Sequence, residues 1–209
     1  MRRCGDHAAL LELPDNAAVH VAARLARERF GDELVEVVPG DRTLLLVWPE
    51  RSPPPERAAL ALERAAAEPE DGDAQLRHET VLIPTRYDGP DLEAVAAALA
   101  LSVTAVVHLH AATEFRVAFM GFAPGFPYLL PVEPGAAVLP LLDLPRRTTP
   151  RTEVPAGSVA VAAGYCGIYP RRSPGGWNVL GRTAATLFDP AREPPALLEP
   201  GMSVRFEAV

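Results

Sequence analysis

The sequence contains no lysine, because all 20 of its basic residues are arginine. This absence excludes a lysine Schiff base, a biotinylated lysine and the lysine of a P-loop from the chain. Arginine offers instead a planar guanidinium group that can donate two parallel hydrogen bonds to a carboxylate or a phosphate. Any nucleotide or small anion must therefore be bound without an ammonium group.

Cysteine and long apolar runs are also scarce. The two cysteines, Cys4 and Cys166, form a poor framework for disulfides, so we expect free thiols and a reducing compartment. The N-terminal stretch MRRCGDHAALLELPD has no continuous apolar run behind its arginines. Nowhere do about 18 uncharged apolar residues follow one another. We therefore expect a soluble cytoplasmic protein without a membrane partner.

Charge and size exclude further classes of partner and site. The formal net charge of -7 opposes binding to nucleic-acid phosphates, and the arginines form no long stripe. His108 and His110 have no third ligand at a characteristic spacing, so we expect no metal site. A chain of 209 residues that is 48% hydrophobic can bury a core in one large domain or in two small ones.

Hydrophobic periodicity predicts a small α+β domain over residues 1–84. Strands are expected at residues 9–13, 34–38, 43–48 and 78–84, and helices at 17–30 and 57–67. Prolines 53–55 lie at the start of the second helix, and the polar segment 68–73 ends it. The middle strands flank a Pro-Gly-Asp turn and form an antiparallel hairpin. This β-α-β-β-α-β order is typical of a ferredoxin-like fold.

Residues 85–209 predict a mainly β domain. Asp91 opens an alanine-rich helix that reaches Ala100, and Ser102 caps a short helix toward His110. Short β-branched or aromatic runs bounded by proline and glycine follow at residues 116–122, 157–163, 178–182, 185–188 and 203–207. Such runs favour a closed or sandwiched sheet, and we predict a β-barrel.

Three loop motifs between residues 119 and 183 combine glycine, proline, arginine and aromatic side chains, a composition that suits a pocket for a small anion. The alternatives are solvated arginines, an aromatic plug at the end of a barrel, and a purely structural Trp177. The candidate ligand-binding residues in these motifs are Phe122, Pro124, Gly125, Phe126, Tyr128, Gly175, Gly176, Trp177, Arg182 and Thr183.

The same motifs resemble a known family. GFAPGFPYL at 121–129, PRRTTPRTEVPAGSV at 145–159 and GIYPRRSPGGWNVLGRT at 167–183 are similar, in order and spacing, to the B subunit of bacterial 5-oxoprolinase, also called allophanate hydrolase subunit 1 or the KipI family. YDGPDL at 87–92 and GDHAALL at 5–11 extend the resemblance over nearly the whole chain. Gly164-Tyr165-Cys166 departs from it, because family members usually have a small residue followed by Gln-Thr.

The resemblance implies a cyclophilin-like barrel and a protein that helps to open 5-oxoproline to glutamate at the expense of ATP, with Mg²⁺. The C and A subunits of 5-oxoprolinase would be its partners, and the C subunit would complete the site. The candidate catalytic residues are Arg151, Arg146, Tyr169 and, as a proton carrier, His110. Arg151 ranks above Arg146 because it leads directly into the most specific motif, and Arg182 is third.

Three other functions stay open. The family name also implies an inhibitor that binds a sensor histidine kinase, which would need an exposed apolar surface rather than a catalytic site. Allophanate or another small amide could replace 5-oxoproline as the substrate. Prolyl isomerisation rests on fold analogy alone.

Overall fold

The fold of the chain is known from a computed structural model, which describes residues 2–49, 56–67, 80–133 and 135–209. The chain divides into two units, Met1–Leu76 and Arg77–Val209. The predictions made for residues 53–55, 68–73 and 78–79 lie outside the described residues.

The first unit is a four-stranded antiparallel sheet with two helices. Its elements are β1 Arg2–Arg3, β2 Ala8–Glu12, α1 Asn16–Phe30, a 3-10 turn Gly31–Glu33, β3 Glu36–Pro39, β4 Thr43–Val47 and α2 Glu56–Ala67. The strands lie in the order β1-β2-β4-β3. The antiparallel pairing of β3 with β4 confirms the predicted hairpin.

Helix α1 forms where the sequence predicts it. Asp15 caps its first turn by accepting a hydrogen bond of 2.9 Å from the backbone N–H of Ala18. Gly31, with φ 46°, follows its last residue and donates its N–H back to the Arg27 carbonyl. The buried face of the helix recurs at helical spacing and packs in one core with Leu44 and Leu46 of β4. Its members include Val19, Ala22, Ala23 and Ala26.

The ferredoxin-like assignment is not confirmed. The strand expected to close that motif is β5, Val81–Thr85, which pairs in parallel with a strand of the second unit instead. In the first unit the free edge of β2 pairs with β1. Ile83 and Thr85 are buried and Leu82 is exposed, so the alternation predicted a strand correctly. Alternation does not specify the partner strand, so it could not predict this pairing.

The second unit contains the remaining elements. They are β5 Val81–Thr85, α3 Leu92–Ala98, α4 Val103–Ala112, β6 Glu114–Met120, β7 Pro127–Pro131, α5 Leu139–Leu142, β8 Arg151–Val154, β9 Ser158–Ala162, β10 Tyr165–Ile168, β11 Ser173–Gly175, β12 Asn178–Arg182 and β13 Ser203–Ala208. Ser102 caps α4 as predicted, accepting a bond of 3.1 Å from Ala105 N–H. No single helix among the described residues is long and apolar enough to span a membrane, and α3 and α4 reach that length only together, across a bend of 94°.

The main sheet of this unit is nearly closed into a barrel. Seven strands lie in the order β12-β9-β10-β7-β6-β13-β5, and β8 and β11 form a separate two-stranded ribbon. The chain after β5 then returns to β12, where Arg86 and Arg182 exchange two backbone hydrogen bonds of 2.9 Å. A Cβ on Gly89 would lie 2.3 Å from the Leu180 carbonyl carbon, so only glycine allows the chain after β5 to pack this closely against β12. The structure is thus a mixed α and β fold with a barrel-like sheet.

The two faces of this sheet carry different apolar groups. Along β9, Val159 and Val161 belong to the large core shared with β6 and β13, whereas Ala160 and Ala162 face a second cluster with Tyr169 and several other aromatic side chains. This division follows from the two-residue period of a strand. The second cluster is the surface on which the loop motifs converge.

The strand predictions for this unit were partly successful. Those near residues 116–122, 157–163, 178–182 and 203–207 are confirmed by β6, β9, β12 and β13. The strand predicted at 185–188 is wrong, since only an isolated bridge between Phe188 and Ala196 occurs there. Strands β7, β8, β10 and β11 escaped prediction because proline and glycine in or beside them indicate turns.

Candidate functional site

A buried carboxylate joins the arginine-rich loop to two other segments of the barrel unit. Asp91 is almost fully enclosed, with 3% of the residue exposed. Arg151 donates two hydrogen bonds of 2.8 Å to it, from Nη1 to Oδ2 and from Nη2 to Oδ1. Arg147 donates another from Nη1, and the backbone N–H of Val179 donates one of 2.7 Å. The carboxylate thus ties the start of α3 to β8, its preceding loop and β12.

The position of Asp91 before α3 predicts a helix cap, but its side chain makes no capping hydrogen bond. Burial tends to raise the pKa of this carboxyl group. The hydrogen bonds from Arg151 and Val179, and the positive charges of Arg151 and Arg147, outweigh burial and hold the pKa below its ordinary value. Asp91 is therefore ionised at neutral pH, as a bidentate arginine pair requires.

The three candidate anion-binding arginines differ in what they already bind. Arg151 has committed both of its terminal nitrogens to Asp91. Arg182 forms an ion pair of 2.8 Å with Asp88 at the surface. Arg146 is exposed and makes no hydrogen bond or ion pair with any residue that the structure describes. The geometry therefore favours Arg146 over Arg151 for contact with an external anion, which reverses the order inferred from the sequence.

Beside this loop lies a group of seven aromatic residues that we call the aromatic cluster. Phe119 stacks on Tyr128 with ring centroids 4.4 Å apart. Trp177 is buried, and its ring lies 5.6 Å from the rings of both Phe126 and Tyr128. The members of the cluster are Phe119, Phe122, Phe126, Tyr128, Tyr165, Tyr169 and Trp177. Five candidates from two separate motifs, Phe122, Phe126, Tyr128, Tyr169 and Trp177, are thereby brought together.

The edge of the aromatic cluster is open at Phe122. This side chain is 61% exposed, although its ring centroid lies 5.3 Å from that of Phe126. Its backbone has φ 61°, a left-handed conformation that is uncommon for a residue other than glycine. Pro124 beside it is exposed, whereas Gly125 is buried and a Cβ there would lie 2.6 Å from Cβ of Phe188. The loop is thus packed against Phe188 at Gly125 and exposes the ring of Phe122 to solvent.

Gly175 lets the ribbon of β8 and β11 approach the cluster, and Gly176 anchors the arginine loop. A Cβ on Gly175 would lie 2.3 Å from the hydroxyl oxygen of Tyr169, so a larger residue would displace that phenol. The carbonyl of Gly176 accepts a hydrogen bond of 2.7 Å from the backbone N–H of Arg147. Both predicted positions therefore act by shaping and anchoring the site.

His110, the candidate proton carrier, lies in the core of the barrel unit with no exposed surface. Its Nδ1 is 2.7 Å from the Tyr87 hydroxyl, and its Nε2 is 3.2 Å from Sγ of Cys166. The rings of Phe115 and Phe206 lie 5.3 and 4.4 Å away. Burial lowers the pKa of His110 to about 3 and raises the pKa of both Tyr87 and Cys166. This placement argues against proton transfer to a substrate.

We expect His110 to make the protein less stable in mild acid. Its pKa in the folded protein lies below the ordinary value, so the unfolded chain binds more protons and stability falls as the pH decreases below about 6.5. The expected slope between pH 6 and 4.5, taken as a test range, approaches about 1.4 kcal/mol per pH unit. Denaturant titrations should show this slope in the wild type and not in His110→Gln. The exposed His108→Gln should keep it, and an unchanged slope in His110→Gln would contradict the assignment.

The unusual Tyr165-Cys166 pair occupies both faces of β10. Tyr165 joins the aromatic cluster, 5.5 Å from Tyr128, while Cys166 points into the core toward His110.

Thr183, predicted to bind ligand, is buried and accepts a hydrogen bond of 3.1 Å from Ala185 N–H. Its backbone N–H donates to the Gly157 carbonyl at 2.8 Å. These contacts hold Thr183 beside Ala185 and Gly157, and neither of these residues belongs to the aromatic cluster.

Two site residues were not found from the sequence. Asp91 resembles a helix cap, and its partners lie 56 to 88 residues away along the chain. Asn178 holds the arginine loop by donating Nδ2 to the Pro145 carbonyl at 3.0 Å. A polar side chain that contacts distant backbone leaves no local sequence signal. Among the described residues, no three histidine, cysteine or acidic side chains group as metal ligands.

Comparison with known families identifies the group to which this architecture belongs. Residues 1–198 match the family described as carboxyltransferase domain, subdomain C and D. The chain belongs to this family. A protein of Escherichia coli O157:H7, named as the B subunit of 5-oxoprolinase, is 41% identical, over 97% of this chain and 92% of the relative. The protein of the same name from Bacillus subtilis strain 168 is 35% identical, over 91% and 82%. These matches confirm the family inferred from the motifs.

Solved structures of several proteins resemble this fold. The crystal structure of TTHA0988 is 38% identical with a TM-score of 0.77, and it covers 97% of this chain. This chain spans only 40% of TTHA0988, so that protein contains a larger part with no counterpart here. A conserved protein of Pyrococcus horikoshii is 33% identical with a TM-score of 0.58, over 100% of this chain and 96% of its own. The urea amidolyase of K. lactis, at 18% identity and a TM-score of 0.68, shares the fold alone.

Proposed function

We propose that this chain is the B subunit of a 5-oxoprolinase and contributes part of a shared site in which 5-oxoproline is opened to glutamate. The observation that carries the proposal is the 41% identity to the Escherichia coli protein of that name over nearly the full length of both chains. The likeness to urea amidolyase extends to the fold only and does not favour allophanate as a substrate. The nearly closed sheet supports the cyclophilin-like barrel that the resemblance implies.

The described residues fit a binding and positioning role. Arg146 offers an uncommitted guanidinium, and Tyr128 and Tyr169 offer phenols whose pKa is raised, first of all by burial. These groups suit the charged oxygens of a small carboxylate or phosphate. ATP would drive the reaction by transferring its terminal phosphoryl group to the lactam carbonyl oxygen, with release of ADP. Water would then add to the carbon and expel the ring amine, which leaves an acyl phosphate, and a second water would hydrolyse this to glutamate and phosphate.

The chemistry must be completed by another protein of the complex. The described residues group no set of metal ligands, so Mg²⁺ would be held by ATP and the partner. The sequence has no lysine to bind the phosphates. The relatives are named as one of several subunits, which implies a heteromeric complex, and we propose that the C subunit lies over the arginine loop and the aromatic cluster. Such a cover would exclude water from the activated substrate.

The exposed Phe122 provides a test of this association. Phe122→Ser should weaken binding to the C subunit by about tenfold or more, because an exposed aromatic ring at the centre of an interface contributes most of the binding energy. Leu82→Ser is the matched control, since Leu82 is 56% exposed on β5, and its effect should stay within about twofold. Gel filtration and titration calorimetry of the two purified proteins give the measurement. If wild type does not associate with the C subunit, the sensor-kinase inhibitor becomes the better hypothesis.

A further inference from the structure

The backbone around Arg146 is anchored on both sides. Before it, the carbonyl of Pro145 accepts a hydrogen bond of 3.0 Å from Nδ2 of Asn178. After it, the backbone N–H of Arg147 donates to the Gly176 carbonyl at 2.7 Å. Asn178 is itself fixed, because its Nδ2 also donates to the Val161 carbonyl in the middle of β9, at 3.2 Å. The position of Arg146 is therefore set by the barrel although its side chain is exposed.

The neighbouring arginines are neutralised only in part. Arg147 and Arg151 share the single carboxylate of Asp91, which leaves one positive charge uncompensated. Arg146 adds a second, and it makes no ion pair or hydrogen bond with the described residues. A surface arginine with no binding role would not require an anchored backbone or a second partly neutralised arginine beside it. This local excess of positive charge favours an anion at the loop.

The aromatic cluster supplies two phenol hydroxyl groups beside the segment that anchors the Arg146 loop. A Cβ on Gly175 would lie 2.3 Å from the Tyr169 hydroxyl oxygen, and the ring of Trp177 lies 5.6 Å from that of Tyr128. Both phenols therefore lie beside the segment 175–177, to which the Arg147 N–H binds at Gly176. Burial raises the pKa of both phenols, and the charge of Arg146 acts on both in the opposite direction, which agrees with this placement. Each phenol hydroxyl can donate its proton to an oxygen of a ligand. Two phenols and one exposed guanidinium thus belong to the surroundings of the same anchored loop.

We propose that Arg146, together with the hydroxyl groups of Tyr128 and Tyr169, binds one oxyanion of a small ligand, and that Arg151 and Arg147 hold the loop through Asp91 without touching the ligand. The shared chemistry is a carboxylate or phosphoryl oxygen. The inference deepens the proposed function and rests on it for the choice of 5-oxoproline as a probe. Within the shared site it assigns the oxyanion contact to this chain.

Trp177 allows binding to be measured in this chain alone. Its ring lies 5.6 Å from that of Tyr128, so a ligand on the phenols should change its fluorescence. The only other tryptophan, Trp48, lies in the first unit and can be replaced by phenylalanine. The Trp48→Phe protein is titrated with 5-oxoproline, with inorganic phosphate, and with 2-pyrrolidinone, which is the same lactam without the carboxylate. Binding of 5-oxoproline but not of 2-pyrrolidinone assigns the site to a carboxylate, whereas binding of phosphate alone assigns it to a phosphoryl group.

Substitutions then test the residue. Arg146→Ala should weaken binding of that probe by about 10-fold to 100-fold, and Arg146→Lys should weaken it less, because a charge-assisted hydrogen bond is lost entirely in one case and replaced in the other. The exposed Arg171→Ala removes the same charge from a neighbouring loop and should change affinity by no more than about twofold. Ethylguanidinium should restore part of the affinity of Arg146→Ala, which a structural arginine would not show.

Two results would overturn the proposal. One is that neither 5-oxoproline nor phosphate binds the chain at tens of millimolar. The other is that Arg146→Ala, with an unchanged circular dichroism spectrum, binds as wild type does. If either result is found while the chain still associates with the C subunit and supports turnover, the oxyanion assignment fails and the proposed function stands. If the chain does not associate with the C subunit while Arg146-dependent binding is observed, the proposed function fails and the oxyanion assignment stands.

Discussion

Asp91→Ala should lower the free energy of unfolding of the barrel unit by about 3 kcal/mol, the lower end of the range for breaking a buried ion pair, because both arginines keep some contact with water. The substitution leaves the Arg147 and Arg151 guanidinium groups and the Val179 N–H without their acceptor. It also leaves two positive charges side by side. The measurement is denaturant unfolding in the Trp48→Phe background, in which Trp177 alone reports on this unit.

Asp88→Ala is the matched control, three residues earlier in the chain. Asp88 binds Arg86 and Arg182, but those side chains are 68% and 62% exposed, so the expected loss is below about 1 kcal/mol. Equal effects of the two substitutions would contradict the structural role of Asp91. The pKa of Asp91 is lowered in the folded protein, so its contribution is present above its ordinary value and should be lost as the pH falls through the lowered one.

Arg151→Lys separates charge from geometry at the same carboxylate. Lysine keeps the positive charge but cannot donate the two parallel bonds of 2.8 Å. We expect a loss of about 1 to 2 kcal/mol, intermediate between wild type and Asp91→Ala. Arg151→Lys as stable as wild type would show that the bidentate geometry contributes nothing.

Local patterns predicted many helices and strands but not the pairing of strands that are distant in the sequence. The α1 helix and the β3–β4 hairpin follow from a cap, a turn and an alternation that lie within a few residues of each other. Strand β5 also follows from its alternation, but its partner β13 lies more than a hundred residues later, where nothing in the pattern of either strand specifies the other. The ferredoxin-like assignment is not confirmed for that reason.

The candidate site shows the same limit. The motifs suggested that Phe126, Tyr128, Tyr169 and Trp177 line one pocket, and in the structure their rings lie together. They could not show that Arg151 binds an internal carboxylate, since Asp91 lies 60 residues earlier at a position typical of a helix cap. Without that pairing, the arginine nearest the strongest motif is the natural candidate for the ligand. We propose Arg146 for that role, because among the three candidate arginines it alone makes no hydrogen bond or ion pair with the described residues.

The second large effect that we expect is the appearance of turnover on mixing. Asp91, Arg147 and Arg151 neutralise one another in part, His110 is buried, and the described residues form no metal-ligand group. The chain alone should therefore be catalytically silent. With its partners it should support 5-oxoproline-dependent hydrolysis of ATP at an ordinary enzymatic rate, on the order of 1 to 100 per second.

The most direct measurement is release of phosphate and glutamate from ATP and 5-oxoproline by this chain alone, by the A and C subunits without it, and by the mixture. We predict product from the mixture only, and about tenfold or greater loss when the mixture contains Arg146→Ala in place of wild type. Asp88→Ala should leave the rate of the mixture nearly unchanged. Turnover of 5-oxoproline by this chain alone, or the same rate from the A and C subunits with and without it, would contradict a shared site.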